Sequence, residues 1–358
     1  MKKVNPARSR RIKRVRSNVM NVMDGIKLGA SRIAVDAMGG DHAPEEIVAG
    51  CVRAQRDGLG DMILVGDRAR IEPLVTEHGA SGEIEIMHAP EAVAMDAAPA
   101  QVLRGSERTS LGAAIETVRE GKADAVVSAG NSGAFLAVAL VRLRTIAGIA
   151  RPAIAVVLPG RQGPVVLLDA GANVDCKPEW LGQFGLMGSA YARAVLGIEK
   201  PKVGILSVGE ERSKGNAQVI EAARCLDAAP VNFIGNVEGK DIFANVADVV
   251  VADGFVGNVV LKLSEGTAHM LTESIRDEVR KGGLAVKLGA LLMLPAMRRV
   301  KKRIAYETYG GAPLLGLRGT CIVAHGRANR DAIYSAVRAA ATAHRQDVAG
   351  RIAALLPH

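Results

Sequence analysis

The sequence predicts an α/β fold: an α/β/α sandwich built around a mostly parallel sheet. Short aliphatic and β-branched runs recur along the chain, and amphipathic stretches rich in Ala, Leu, Glu and Arg separate most of them. Several of the runs stop in turns rich in Gly and Asn. Runs this uniformly apolar belong to strands buried on both faces, so the intervening helices must cover both sides of the sheet.

In chain order, the predicted strands are Ile33–Val35, Met62–Val65, Ile84–Met87, Ala125–Val127, Ile154–Leu158, Val165–Leu168, Val203–Leu206, Val231–Ile234, Val249–Val251 and Cys321–Val323. All are read as buried and parallel. There is no internal repeat and no low-complexity linker, so residues 31–358 are expected to form one catalytic domain. Residues 1–30 are read as a basic, disordered extension. Its Ser9-Arg10-Arg11-Ile12-Lys13 has the look of a twin-arginine signal, but no continuous apolar stretch follows.

Five strands run into turns of similar chemistry. The first holds Asp36, Gly39, Gly40, Asp41 and His42; the second, Asn131, Ser132 and Gly133. The third spans Asp169 to Asn173, followed by Asp175; the fourth holds Lys214, Gly215 and Asn216; the fifth, Asp253, Gly257 and Asn258. In open parallel sheets, ligands bind beyond the C-terminal strand ends. Glycine lets the backbone approach a ligand closely, and the amides at a following helix N-terminus attract an anion. Repeated over five turns, the pattern predicts a phosphate or other small-anion site. Asp36 has a second reading, as the cap of its own turn.

Several alternatives lose support. There is no GxxxxGK[ST] and no GxGxxG after a strand, which disfavours a P-loop NTPase or a standard dinucleotide fold. There is no G-x-S-x-G elbow. Cys51, Cys176, Cys225 and Cys321 are scattered without metal-ligand or redox spacing, so no metal and no cofactor is expected, and a reducing cytoplasm fits.

The net charge of +9 comes from two segments. Residues 1–16 hold eight basic residues and no acid; residues 281–303 hold seven and no acid. The rest of the chain is net acidic. A nucleic-acid-binding protein would spread its cations over the body with aromatics interleaved, and aromatics are only 3% here. In 281–303 an apolar stretch including Leu291, Leu292 and Leu294 is interrupted by Pro295 and followed at once by Arg298 and Arg299. That arrangement suits an anionic membrane surface or an acidic protein partner, and equally a core helix with a solvated face.

Taken together, IAVDAMGGDHAP (33–44), SAGNSGA (128–134), LLDAGANVDCKPE (167–179), SKGN (213–216), FIGNVEGKD (233–241), ADGFVGNVVLK (252–262) and YGGAPLLGL (309–317) resemble the bacterial phosphate acyltransferase (PlsX) family. The resemblance runs from about Arg32 to the end. It implies that inorganic phosphate attacks the thioester of a fatty acyl–acyl carrier protein, giving acyl phosphate for phospholipid synthesis. It also implies a homodimer with a fold related to phosphotransacetylases and isopropylmalate-type dehydrogenases. The implied setting is cytoplasmic, peripheral to the inner face of the cell membrane, where a membrane glycerol-3-phosphate acyltransferase takes the product. By the same resemblance, Lys214 and Asn258 match active-site residues. His42 is a third catalytic candidate: with Asp36 and Asp41 of the first motif it is placed to orient phosphate or a water, its other reading being a structural hydrogen-bonder. The family's dense Lys/Arg run is represented by Arg104–Ser110, where Gly105 and Glu107 interrupt the charge. The nearest rival is a phosphotransacetylase acting on acyl-CoA. A related metal- and NAD-dependent dehydrogenase would need clustered Asp ligands and an adenosine site.

Overall fold

The computed structural model describes residues 31–304 and 310–356, with backbone alone for 301–304. The basic extension, Tyr309 and the side chains of Lys301, Lys302 and Arg303 lie outside the described residues.

The chain folds as β1 (Arg32–Asp36), α1 (Glu45–Arg56), β2 (Asp61–Gly66), α2 (Arg68–Glu77), β3 (Glu85–His88), α3 (Pro99–Val102), α4 (Ser110–Arg119), β4 (Ala125–Ser128), α5 (Ser132–Leu143), β5 (Ala153–Pro159) and β6 (Pro164–Leu168). It continues with α6 (Pro178–Ala194), β7 (Lys202–Leu206), α7 (Ala217–Ala228), β8 (Asn232–Val237), α8 (Gly239–Ala244), β9 (Val249–Val251), α9 (Gly254–Lys281), α10 (Leu284–Ile304), β10 (Ala312–Leu315), β11 (Thr320–Val323), α11 (Arg330–Arg345) and α12 (Val348–Ala353). The strands form one sheet in the order β3-β2-β1-β4-β11-β10-β5-β6-β9-β7-β8.

The period-2 geometry of a strand explains the three layers. In β1, Ile33 and Val35 pack with α1 and α11, whereas Ala34 faces the other way toward Leu111 of α4 and Phe135 of α5. In β6, Val166 and Leu168 join Phe184 and Met187 of α6, while Val165 and Leu167 meet Ile242 of α8. Each fully buried Ile, Leu or Phe contributes about 1.5–3 kcal/mol through burial.

Two expectations about strands need correction. The runs read as the fifth and sixth parallel strands form an antiparallel pair, Ala155 opposite Leu168 and Pro159 opposite Pro164. Only Gly160 to Gly163 connects them, far too short for a parallel crossover. An eleventh strand, β10, is also present; it runs antiparallel to both β11 and β5. Every other pairing in the sheet is parallel.

These antiparallel strands reverse the polarity of the sheet midway. Strands β1, β2, β3, β4 and β11 end at one edge, and β6, β7, β8 and β9 end at the opposite edge. Four strand spacings of about 4.8 Å separate β4 from β6. Helices α9 and α10 follow β9, joined through Gly282 and Gly283. Within α9 only Gly254 and Gly257 are buried. In α10 the helix runs through Pro295, and Leu291, Leu292 and Leu294 are exposed along with Arg298 and Arg299. A core position for that apolar stretch is thus ruled out within one chain. No helix among the described residues is long and apolar enough to cross a membrane.

Candidate functional site

At the first edge, β1 ends in Asp36, whose carboxylate is buried. It accepts from the Ser128 hydroxyl at 2.7 Å and from the Met38 N–H at 3.2 Å, tying the β1 loop to the end of β4. Burial pushes its pKa above the ordinary carboxylate value, with those hydrogen bonds working in the opposite direction. Gly39 lies so close to this carboxylate that a Cβ there would sit 2.4 Å from Asp36 Oδ2 and 2.8 Å from the Gly130 nitrogen. Asp41 donates its N–H to the Gly326 carbonyl at 2.8 Å, and Gly40 turns through a positive φ of 110° beside Ala129. His42 is exposed, its carbonyl accepting from Glu46 at the start of α1.

Asn131 is the N-cap of α5. Its Oδ1 accepts from the Ala134 N–H at 3.0 Å, and its Nδ2 donates to the carbonyls of Met95 and Ala97 at 3.0 and 2.9 Å. Both ends of that amide are therefore spent on the fold, leaving exposed Ser132 and the backbone at Gly133 as the polar groups of this turn.

The second edge gathers more of the predicted chemistry. Asp169, fully buried at the end of β6, accepts from the N–H groups of Ile154, Gly171, Ala172 and Asn173 and from the Asn173 side-chain amide, all between 2.7 and 3.1 Å. Burial raises its pKa as well, against these donors. Asn173 also donates to the Pro152 carbonyl at 2.8 Å, and its own carbonyl receives the Gly254 N–H at 2.7 Å. The start of α9 is seated directly on this loop. A Cβ at Gly257 would lie 1.8 Å from the Asp169 carbonyl oxygen, so only glycine fits. Asp253 caps α9 by accepting from the Val256 N–H at 2.9 Å. One turn on, exposed Asn258 reaches over Gly171, where an added Cβ would meet its amide at 3.7 Å.

Beside it, at the end of β7, lies the loop carrying Lys214. The Lys214 side chain is exposed, its stem lying close against Gly209. Gly215 follows with φ of 117°, and Asn216 caps α7 through the Val219 N–H at 2.9 Å. Arg212 makes two hydrogen bonds to Asp227 of α7, at 2.7 and 3.1 Å. Nearby, Glu210, Glu238 and Asp241 bring carboxylates within 4.8 Å of one another. Glu238 and Asp241 form the capping box of α8, and Lys240 lies against Glu210 at 3.8 Å and against Glu238, which accounts for that cluster without an ion.

Lys214, Gly215, Asn216, Asn173, Asp253, Gly257 and Asn258 thus share one edge. Asp36, Gly39, Gly40, Asp41, His42, Asn131, Ser132 and Gly133 share the other. Sequence reasoning passed over Asp169 and Asn236, although both stand in quoted motifs. For Asp169 the signal was there: like Asp36, it is an Asp ending an apolar strand just before a Gly-rich turn.

Comparison with known proteins agrees with this architecture. A family profile described as "Fatty acid synthesis protein" matches residues 31–351. A phosphate acyltransferase from Moorella thermoacetica is 49% identical over 309 residues, covering 86% of this chain and 91% of the relative. One from Heliobacterium modesticaldum is 49% identical over 329 residues, covering 91% and 97%. Among solved structures, a phosphotransacetylase from Streptococcus pyogenes superposes with a TM-score of 0.64 at 17% identity, covering 93% of this chain and 99% of that one. The EutD phosphotransacetylase from Staphylococcus aureus gives 0.61 at 16%, covering 92% and 98%. Those structural likenesses speak for the fold alone; the family match and the sequence relatives show that the chain is an acyltransferase belonging to the phosphate acyltransferase family of fatty acid synthesis proteins.

Proposed function

We propose that this chain transfers a fatty acyl group from acyl–acyl carrier protein to inorganic phosphate, with phosphate itself as the nucleophile. A phosphate oxygen forms the new bond to the thioester carbonyl carbon. The tetrahedral intermediate then collapses, the C–S bond breaks, and acyl phosphate leaves beside the carrier thiol, which takes up a proton. Phosphate is already anionic at neutral pH, so the protein's task is to hold it, offset charge repulsion and stabilise the oxyanion. Lys214 meets the first two needs, and the Asn258 amide donates to the oxyanion. Gly171, Asn173, Gly215, Asn216 and Gly257 shape the backbone around them, and Asp253 and Asp169 hold that backbone.

The observation that carries this reading is that Lys214, in the loop after β7, and Asn258, in the first turns of α9 after β9, follow the C-terminal ends of neighbouring parallel strands. Support for direct attack comes from Cys176, the thiol beside this loop. Burial pushes its pKa up to about 11, leaving it a poor covalent nucleophile. The test is purified protein with palmitoyl carrier protein and phosphate, acyl phosphate being trapped as a hydroxamate. Product is expected with the carrier-protein donor; product from palmitoyl-CoA alone would favour the phosphotransacetylase reading instead.

The setting proposed for this chemistry is a cytoplasmic homodimer at the inner membrane surface, handing its product to a membrane glycerol-3-phosphate acyltransferase. The exposed apolar residues of α10, Leu291, Leu292 and Leu294, beside Arg298 and Arg299, support contact with anionic lipid. Leu291→Glu and Arg298→Ala/Arg299→Ala are each expected to reduce co-sedimentation with anionic liposomes. Unchanged binding in both would exclude this surface.

A further inference from the structure

The segment from Phe233 to Asp241 is a quoted motif with no part in the chemistry so far. It begins on the edge strand β8, whose pairing with β7 slips: Phe233 lies opposite Val203, but Asn236 lies opposite Ile205. One extra residue is therefore taken up at Ile234-Gly235. Gly235 provides the positive φ of 95° that this bulge needs. A bulge re-aims the residues that follow it, and here it delivers Asn236 to the underside of the Lys214 loop.

Asn236 is only 9% exposed. Its Nδ2 donates to the Glu211 carbonyl at 2.7 Å and to the Lys214 carbonyl at 3.1 Å, with Ser207 Oγ at 3.4 Å. The Ser207 hydroxyl donates to the same Lys214 carbonyl at 3.1 Å. The Lys214 carbonyl, beneath an exposed side chain, is thus gripped by two donors, one from β8 and one from the end of β7. The Asn236 contact spans 22 residues of chain and comes from another strand, so nothing local to the loop reproduces it; Ser207 adds a second grip from the loop's own base. A buried amide with such partners is held firmly, because losing them would strand polar groups away from water.

We propose that Asn236, assisted by Ser207, is a positioning residue that sets where Lys214 presents its ammonium group. This rests on the proposed role of Lys214 and adds how that role is enforced. It also gives the bulge a purpose: without Gly235 the strand would continue in register and the amide would not reach the loop.

The experiment is steady-state kinetics of acyl phosphate formation, with phosphate and acyl–carrier protein varied separately. The variants are Lys214→Ala, Asn236→Ala, Ser207→Ala and the Lys214→Ala/Asn236→Ala double. Asn236→Ala is expected to lower kcat/KM for phosphate about 100-fold while leaving KM for the acyl donor unchanged. Ser207→Ala should change it in the same direction but less. The double variant should be no slower than Lys214→Ala alone, since a positioning residue has nothing left to act through. A multiplicative further loss in the double, or an Asn236→Ala enzyme at the wild-type rate while Lys214→Ala is slow, overturns the proposal and leaves the role of Lys214 standing. A wild-type rate in Lys214→Ala removes that role and this inference with it. If Asn236→Ala does not fold, Ser207→Ala decides alone, and an unchanged kcat/KM for phosphate overturns the proposal.

Discussion

Two buried aspartates end strands at opposite edges of the sheet, and they do different work. Asp36 ties two strands together: it takes a hydroxyl from β4 and one amide from its own turn. Asp169 mainly gathers its own loop, collecting three backbone amides and the side-chain amide of Asn173 from it, and fastens that loop to β5 through the Ile154 amide. The Asp36 edge is built by strand-to-strand contact. The Asp169 edge is a fixed loop on which a helix is seated, with Lys214 on the neighbouring strand end. A loop held by five donors is rigid enough to keep reacting groups in place, and rigid placement is where much of catalytic advantage originates.

The largest expected contrast is in activity. Lys214→Ala or Asn258→Ala should lower kcat by about 10²–10³-fold, as loss of an oxyanion or phosphate contact does. His42→Ala, at the far edge, should stay within a few-fold. An equal collapse in His42→Ala, read from the same hydroxamate assay, would mean that the two edges meet in the assembled enzyme, as when one copy's β1 edge meets the β7 edge of another.

Stability should separate the edges less sharply. Asp169→Ala leaves several buried N–H groups without acceptors and should cost on the order of 4 kcal/mol in urea unfolding. Asp36→Ala, with fewer donors to strand, should cost about 2 kcal/mol. Equal losses would erase the distinction.

The smallest effect is a pH slope common to both. Each folded carboxyl holds its proton more tightly than its ordinary value of 3.8 implies. The resulting stability is fully present below that ordinary value and is lost as pH rises through the folded value. The margin of wild type over Asp36→Asn should therefore be greater at pH 4 than at pH 8. A margin that grows with pH would show that hydrogen bonding outweighs burial.

Much of this was legible in the sequence. Runs such as Val165–Leu168 and Val203–Leu206 are apolar at every position or nearly so, which only a doubly covered strand explains. The Gly/Asn turns correctly marked strand ends. Polarity was not legible from the runs, because a strand's composition is blind to the direction of its neighbour. The four-residue link from Gly160 to Gly163 was the available clue. Strand β10 escaped because Ala312-Pro313-Leu314-Leu315 is short, and its proline signals an edge or a turn. Asn131 and Asn236 illustrate a deeper limit. Asn131 stands in a Gly-rich turn and Asn236 follows a glycine on a strand, and composition cannot tell an amide that faces a ligand from one spent on carbonyls drawn from distant parts of the chain.

The seating of α9 carries a mechanical consequence. A helix of 28 residues is about 42 Å long, and within one chain it is buried only at Gly254 and Gly257. It is a rod clamped at its base. A tilt of about 5° at the clamp carries the far end roughly 4 Å over that length. Asn258 sits next to the fulcrum and would hardly move. The glycines that let the rod stand against Asp169 therefore set a lever: any tilt at the base would displace the tip far more than the place where the amide is presented.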